Sequence, residues 1–359
     1  MPHGMSPAEA APFALWRAAW LGLATLLAAL LATVHLGTTF QYIPLASLLE
    51  FSAPDPFQRR VLMPALAAAL GALVDAPTAV RGLLLGIAAW GALIGSAWWV
   101  LGRVAPPLGT GARRWIALTV VVPVGSQLML PARFRAFNGD AVVGDVHGLL
   151  EPFTRIQALP GLYFPYDVPA AALLLAGLAA LGSLAARPDR RRWTTYAVVY
   201  VAAALNRETA VLLVPLTLWT LRARLAPSAL VALGLAQVLA VVALVIAVGA
   251  IVDAAPNPRS AHAGGLEWYL WTNLRTLAHP LYAVPALVPL AGGAWLPPLL
   301  RWRALPPPAR ALVVLYVLPA FAVALTFGIL LETRVFTEVA AALWLAAVLA
   351  LLAPAGRRV

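Results

Sequence analysis

Residues 193–221 read WTTYAVVYVAAALNRETAVLLVPLTLWTL, an apolar run interrupted at its centre by Asn206-Arg207-Glu208-Thr209. Such a run belongs in a bilayer, yet it is longer than the roughly 20 residues one helix needs to cross the hydrocarbon core. A charge near the bilayer centre costs several kcal/mol, from about 2.5 upward. Arg207 and Glu208 therefore need each other, a wet cavity or a ligand. How this segment crosses decides the topology of everything that follows it.

Composition agrees with the membrane reading. The chain has 359 residues, 62% of them hydrophobic and 11% charged. A soluble domain of this length could not hide so much apolar surface. The expected fold class is all-α: a polytopic transmembrane helical bundle forming a single integral membrane domain over residues 1–359. Spans are expected at Ala18–Leu36, Gly82–Leu101, Trp115–Leu130, Val168–Ala186, Ser228–Val252, Pro280–Leu300, Ala311–Leu331 and Phe336–Leu352. Val61–Val74 is short and Trp193–Leu221 is long and interrupted, so the total is about 8–11 membrane segments, some interfacial or re-entrant. Arg17 and the run Ala18–Val34 read as an uncleaved first helix, because many further spans follow.

Cysteine is absent, which excludes disulfides, thiolate nucleophiles and cysteine–metal sites. All 25 basic residues are arginine, and the net charge is +11. These arginines fall mostly at the ends of apolar segments, the pattern of topology signals, so no nucleic-acid partner is implied.

Cytoplasmic loops are enriched in arginine. Arg103/Arg113/Arg114, Arg187/Arg190/Arg191/Arg192, Arg222/Arg224, Arg301/Arg303/Arg310 and Arg357/Arg358 should share the inner side, as should both chain termini. Both ends of residues 193–221 then lie inside, which makes the run a hairpin of two half-helices with Asn206–Thr209 at its turn. The outer side receives residues 37–81 with their interfacial helices, residues 131–167, residues 253–279 and the short turn Glu332–Arg334. Those segments hold nearly all the acids, so function is expected to face outward.

Four motifs could carry chemistry. In Asp55-Pro56-Phe57-Gln58-Arg59-Arg60-Val61-Leu62-Met63-Pro64, two arginines on the outer side fit the geometry of a phosphate or pyrophosphate. The bland alternative is a snorkelling interfacial helix with Asp55 as counter-ion or N-cap. Tyr163-Phe164-Pro165-Tyr166-Asp167-Val168-Pro169 leads into a span, with Asp167 either an N-cap or a binding group. Asn206-Arg207-Glu208-Thr209 is either a buried ion pair that fixes packing or a ligand contact, and a membrane setting favours the second. Glu332-Thr333-Arg334-Val335-Phe336-Thr337-Glu338 again sets an arginine on the outer side, with Glu332 or Glu338 to neutralise it. No Walker loop, HExxH, GxSxG or histidine pair at metal spacing occurs. Asp140 and Asp145 sit in an irregular loop, and no metal ligands are assigned.

This layout resembles the GT-C superfamily of polytopic glycosyltransferases, with a first helix, a long acid-bearing outer loop, interfacial helices and then many spans. The resemblance implies a bacterial cytoplasmic (inner) membrane protein with its site facing outward. It implies glycosyl transfer from a polyprenyl-phosphate-linked sugar to a glycan, lipid or protein acceptor, with inversion. Asp55 first and Glu50 second would be the general base. Arg59, Arg60, Arg207 or Arg334 would stabilise the departing lipid phosphate, and Asn206, Glu208 and Asp167 would hydrogen-bond sugar hydroxyls. Glu332 joins them as a binding candidate beside Arg334. Membrane lipids and the lipid-linked sugar are the implied partners, and no cofactor beyond that donor is implied. The alternatives are a transporter or flippase for an anionic or lipid-linked substrate, and a non-catalytic assembly subunit.

Overall fold

In the computed structural model the described residues are 7–39, 41, 43–53, 60–105, 108–129, 133–138, 141–142, 155–159, 163–251, 269–278, 283–284, 287, 290–328 and 333–353. The chain opens with α1 (Pro7–Thr38), the short α2 (Leu45–Leu49), α3 (Leu62–Leu73), α4 (Thr78–Val104), α5 (Thr110–Leu118) and α6 (Val121–Leu128). A small antiparallel sheet follows: β1 (Arg133–Asn138), β2 (Ala141–Val142) and β3 (Arg155–Leu159), with β1 in the middle and Arg133 opposite Leu159. Next come α7 (Asp167–Ala186), α8 (Arg190–Asn206), α9 (Leu213–Leu221) and α10 (Pro227–Ile251). The described remainder comprises α11 (Leu270–Ala278), α12 (Leu296–Leu300), α13 (Pro307–Leu312), α14 (Leu318–Phe327) and α15 (Thr337–Leu352), with short 3-10 and π segments between them.

The protein is a multi-pass helical membrane bundle. Among the described residues, six helical stretches are long and apolar enough to cross: Trp16–Thr38, Thr78–Val104, Asp167–Ala186, Pro227–Ile251, Pro307–Phe327 and Arg334–Leu352. Two of them form the centre. Asp167–Ala186 is 83% buried within the protein and Arg334–Leu352 78%, against 22% for the first and fourth spans. The central α7 is built from Ala, Leu and Gly with no polar stripe, as a helix surrounded on all sides requires. Small residues let its neighbours approach closely, which is the main source of packing energy when lipid is the competing solvent. A Cβ at Gly177 would stand 3.3 Å from Leu213 and 4.0 Å from Val199, so α8 and α9 both seat on that one position.

Two expected spans are corrected. Trp115–Leu130 is not one helix, because α5 ends at Leu118 and α6 begins at Val121. Pro123 supplies no N–H for the Thr119 carbonyl and disfavours helix at the residue before it. The break is used, since the Thr119 hydroxyl accepts a hydrogen bond from Trp344 Nε1 at 2.9 Å. Pro280–Leu300 is likewise not a continuous helix. Its described part contains a 3-10 turn at Leu290–Gly293, with Ala291, Gly292 and Gly293 at positive φ, and then α12. Prolines at 280, 285, 289, 297 and 298 remove the donors a single helix would need.

Residues 193–221 fold back on themselves. Arg207 is extended (φ −159, ψ 142), a 3-10 turn occupies Glu208–Leu212, and α9 then runs beside α8. The Tyr196 hydroxyl lies 2.5 Å from Thr217 Oγ1, a contact that a single straight helix over these residues could not make. Gln237 Nε2 of α10 donates to the same Tyr196 hydroxyl at 2.8 Å. Helix direction therefore sorts the chain into two ends. One end carries the arginine-rich ends of α4, α8 and α9 and the end of α15 that Arg301 meets; the other carries Asp167, Arg207 and Glu338.

Candidate functional site

Helix ends decide which charges can gather at the second end. Asp167 is the first residue of α7 and Glu338 lies in the first turn of α15, where the positive end of the helix dipole favours a carboxylate. Arg207 follows the last residue of α8, where the negative end favours a cation. Of the two roles expected for Asp167, N-cap or binding group, the first falls to Tyr166, and the Asp167 side chain turns to arginines.

The result is a buried ionic network across three helices. Arg207 Nη2 is 3.4 Å from Asp167 Oδ1, and Arg207 Nη1 is 3.5 Å from Glu338 Oε2. Arg334 Nη1 reaches Asp167 Oδ2 at 3.7 Å. Asp167 is fully buried, and Arg207, Arg334 and Glu338 are each buried. Thr209 Oγ1 donates to Glu338 at 2.8 Å, and Asn206 Nδ2 donates to the Tyr166 carbonyl at 3.0 Å. The partner of Arg207 is thus not its neighbour Glu208, which is half-exposed, but two carboxylates brought from elsewhere in the chain.

Aromatic rings floor this network. The Arg60 guanidinium sits 4.2 Å from the Tyr166 ring centroid and Arg207 lies 5.7 Å from it. Arg334 lies 3.8 Å from the Phe164 ring, which itself packs on Tyr166 at 5.3 Å. Burial pushes the Tyr163 and Tyr166 phenols up to about 12, with Arg60 and Arg334 pulling Tyr166 the other way. Both phenols are therefore protonated donors at neutral pH. Tyr316 approaches Glu338 from the last segment but one, placed by the π turn Val313–Val317. That wider turn accommodates Pro319, whose ring would clash with a normal helical carbonyl.

Comparison with protein-family models, curated proteins and solved structures gives no match. The site must be read from its own geometry. Its three salt-bridge distances exceed the roughly 2.7–2.9 Å of a charge-assisted hydrogen bond. Among the described residues, both oxygens of Asp167 are ion-paired but accept no hydrogen bond, and neither Asn206 Oδ1 nor the Tyr166 hydroxyl has a hydrogen-bond partner. Buried polar atoms are nearly always satisfied, so these atoms give the network spare capacity for a ligand.

Of the residues expected from sequence, Arg60, Asp167, Asn206, Arg207 and Arg334 meet here. Glu50 does not: its carboxylate accepts from Thr78 at 2.9 Å and pairs with Arg81 at 3.3 Å, at the start of α4. Asp55, Arg59 and Glu332 lie outside the described residues, as do Asp140 and Asp145. Among the described residues no group of three metal-ligating side chains comes together. Glu338, named in its motif only as a counter-charge to Arg334, and Thr209, the last residue of its motif, belong to the site, as does Tyr316, which lies in no motif. Glu338 had a signal, standing four residues after Arg334 on the same helical face.

Proposed function

We propose that this end of the bundle binds the phosphate and sugar of a polyprenyl-phosphate-linked donor and transfers the sugar to an acceptor hydroxyl with inversion, as a GT-C-like glycosyltransferase. The observation that carries this reading is the convergence of Arg207 and Arg334 on a buried carboxylate, Asp167, with Arg60 stacked on the neighbouring Tyr166 ring. Guanidinium groups gathered on aromatic rings at one end of the bundle suit a lipid phosphate. Asp167 and Asn206 offer acceptors for sugar hydroxyls.

In the reaction, the acceptor oxygen bonds to the anomeric carbon while the bond from that carbon to the phosphate oxygen breaks. The acceptor proton passes to a carboxylate, and the arginines stabilise the charge that builds on the departing phosphate. Asp55 is the proposed base. Five residues separate it from Arg60, so the chain keeps it within about 18 Å of that residue. Glu50, engaged by Thr78 and Arg81, is the weaker candidate.

The proposed setting is a bacterial inner membrane, with the arginine-rich end and both termini in the cytoplasm. The chain has no cysteine, so single-cysteine labelling can read this orientation directly. Labelling of a cysteine near Arg222 from the outside would reverse the assignment.

The activity test uses purified protein in nanodiscs with a panel of radiolabelled polyprenyl-phosphate hexoses and an extracted envelope fraction as acceptor. Transfer is expected, with a loss of about 100-fold or more in Asp55→Asn. Full transfer by Asp55→Asn would remove the base assignment, and no transfer from any donor would remove the enzyme reading. Transport is the second reading, favoured by the charged break between α8 and α9, since broken helices with charge at the break are what transporters use. Movement of a fluorescent polyprenyl phosphate across proteoliposomes, without covalent product, would favour it.

A further inference from the structure

The opposite end of the bundle carries a second set of arginines, and they too surround a cavity. Between the end of α4 and the start of α8 lies a pocket of about 450 Å³ lined by Trp99, Arg103, Ser183, Asp189, Arg191 and Arg192. Its size falls within the range of small-molecule sites, roughly 300–1,000 Å³.

The charges inside it are not balanced. Asp189 is already engaged, accepting from the Arg192 backbone N–H at 2.9 Å and lying 3.5 Å from Arg192 Nε. Arg192 also donates to the Arg187 carbonyl at 2.8 Å. The Arg191 carbonyl accepts from the Thr195 hydroxyl at 2.9 Å, but among the described residues neither the Arg103 nor the Arg191 guanidinium makes a hydrogen bond or ion pair, so both line the cavity with Asp189 already engaged.

A second, shallow groove on the open face of α8 begins where the pocket ends. It shares Arg191 and Thr195 with the pocket and runs along α8 past Thr194 to Val198 and Val199. Val198 is 62% exposed, so this apolar face of α8 is open to lipid. A cationic pocket opening into an apolar groove, one helical turn deeper, matches a molecule with an anionic head and a hydrocarbon tail.

The geometry points to a binding site for an anionic glycerophospholipid, with its phosphate between Arg103 and Arg191 and an acyl chain along Thr195, Val198 and Val199. A free phosphate could satisfy the two arginines but would leave the groove unused. A zwitterionic lipid would bring a choline or ethanolamine cation toward Arg191 and Arg192. The inference does not rest on the proposed glycosyl transfer, because it concerns the other end of the bundle.

The test is native mass spectrometry of the protein released from mixed micelles of phosphatidylglycerol and phosphatidylcholine. Retention of one phosphatidylglycerol, preferred about tenfold over phosphatidylcholine, is expected. The double variant Arg103→Gln/Arg191→Gln should lose that preference, while Arg103→Lys/Arg191→Lys and the distant Arg310→Gln should keep it. Circular dichroism and thermal unfolding of each variant separate loss of the site from loss of fold. No headgroup preference in the native protein, an undiminished preference in the glutamine variant, or displacement of the lipid by millimolar inorganic phosphate would each overturn the proposal.

Discussion

The two ends of this bundle use the same side chain in opposite ways. At the arginine-rich end, arginines remain near water and bond backbone carbonyls. Arg301 reaches the Ala350 carbonyl at 2.7 Å and the Ala353 carbonyl at 3.0 Å, capping the last helix, and Arg310 reaches the Arg303 carbonyl at 2.8 Å. At the Asp167 end, Arg207 and Arg334 are buried and meet carboxylates from other helices. The first use anchors individual helices and is tolerant of loss. The second ties α7, α8 and α15 together, and its charges have no water to fall back on.

That contrast can be broken by mutation. The largest expected effect is at Asp167→Ala, which leaves two buried guanidinium groups facing one remaining carboxylate. Loss of one partner of a buried pair costs about 3–5 kcal/mol, to be measured by reversible unfolding in mixed detergent. A cost under about 1 kcal/mol would mean that water already reaches the network. Tyr196→Phe comes next, at about 1–3 kcal/mol, because it strips Thr217 and Gln237 of a buried partner. Arg301→Ala removes a cation from the end of α15 and should cost about 0.3–1 kcal/mol in the same assay. Smallest is Arg192→Ala, whose half-exposed pair with Asp189 should contribute no more than about 1 kcal/mol. Should Arg301→Ala prove as damaging as Asp167→Ala, the division between the two ends would fail.

Most of the fold was legible because lipid imposes a simple rule on composition. The runs later occupied by α1, α4, α7, α10 and α15 announce themselves by length and apolarity alone. The signal failed where proline acts. Pro123 splits one expected span, and five prolines with two adjacent glycines break up another, although the overall hydropathy of both looks like membrane. The site was legible as single residues but not as partnerships. Arg207 and Glu208 invite pairing because they are adjacent, yet neighbours after a helix end point in different directions. The carboxylates that Arg207 meets stand 40 residues before it and 131 after it, and no local pattern carries that distance. Glu50 shows the reverse difficulty, since a carboxylate in an outer loop reads as a catalytic candidate with no sign in the sequence that Thr78 and Arg81 hold it.

The tyrosine network of α8 sets an order in time. Tyr196 meets Thr217, which is 21 residues later, and Gln237, which is 41 residues later; Tyr200 donates to the Gln237 carbonyl. Hydroxyls exposed to hydrocarbon are costly until they find partners. When α8 emerges from the ribosome, those partners still lie behind it, outside the bilayer. It becomes a stable membrane segment only when α9 and α10 arrive, so the three helices must enter the bilayer as one unit of biogenesis.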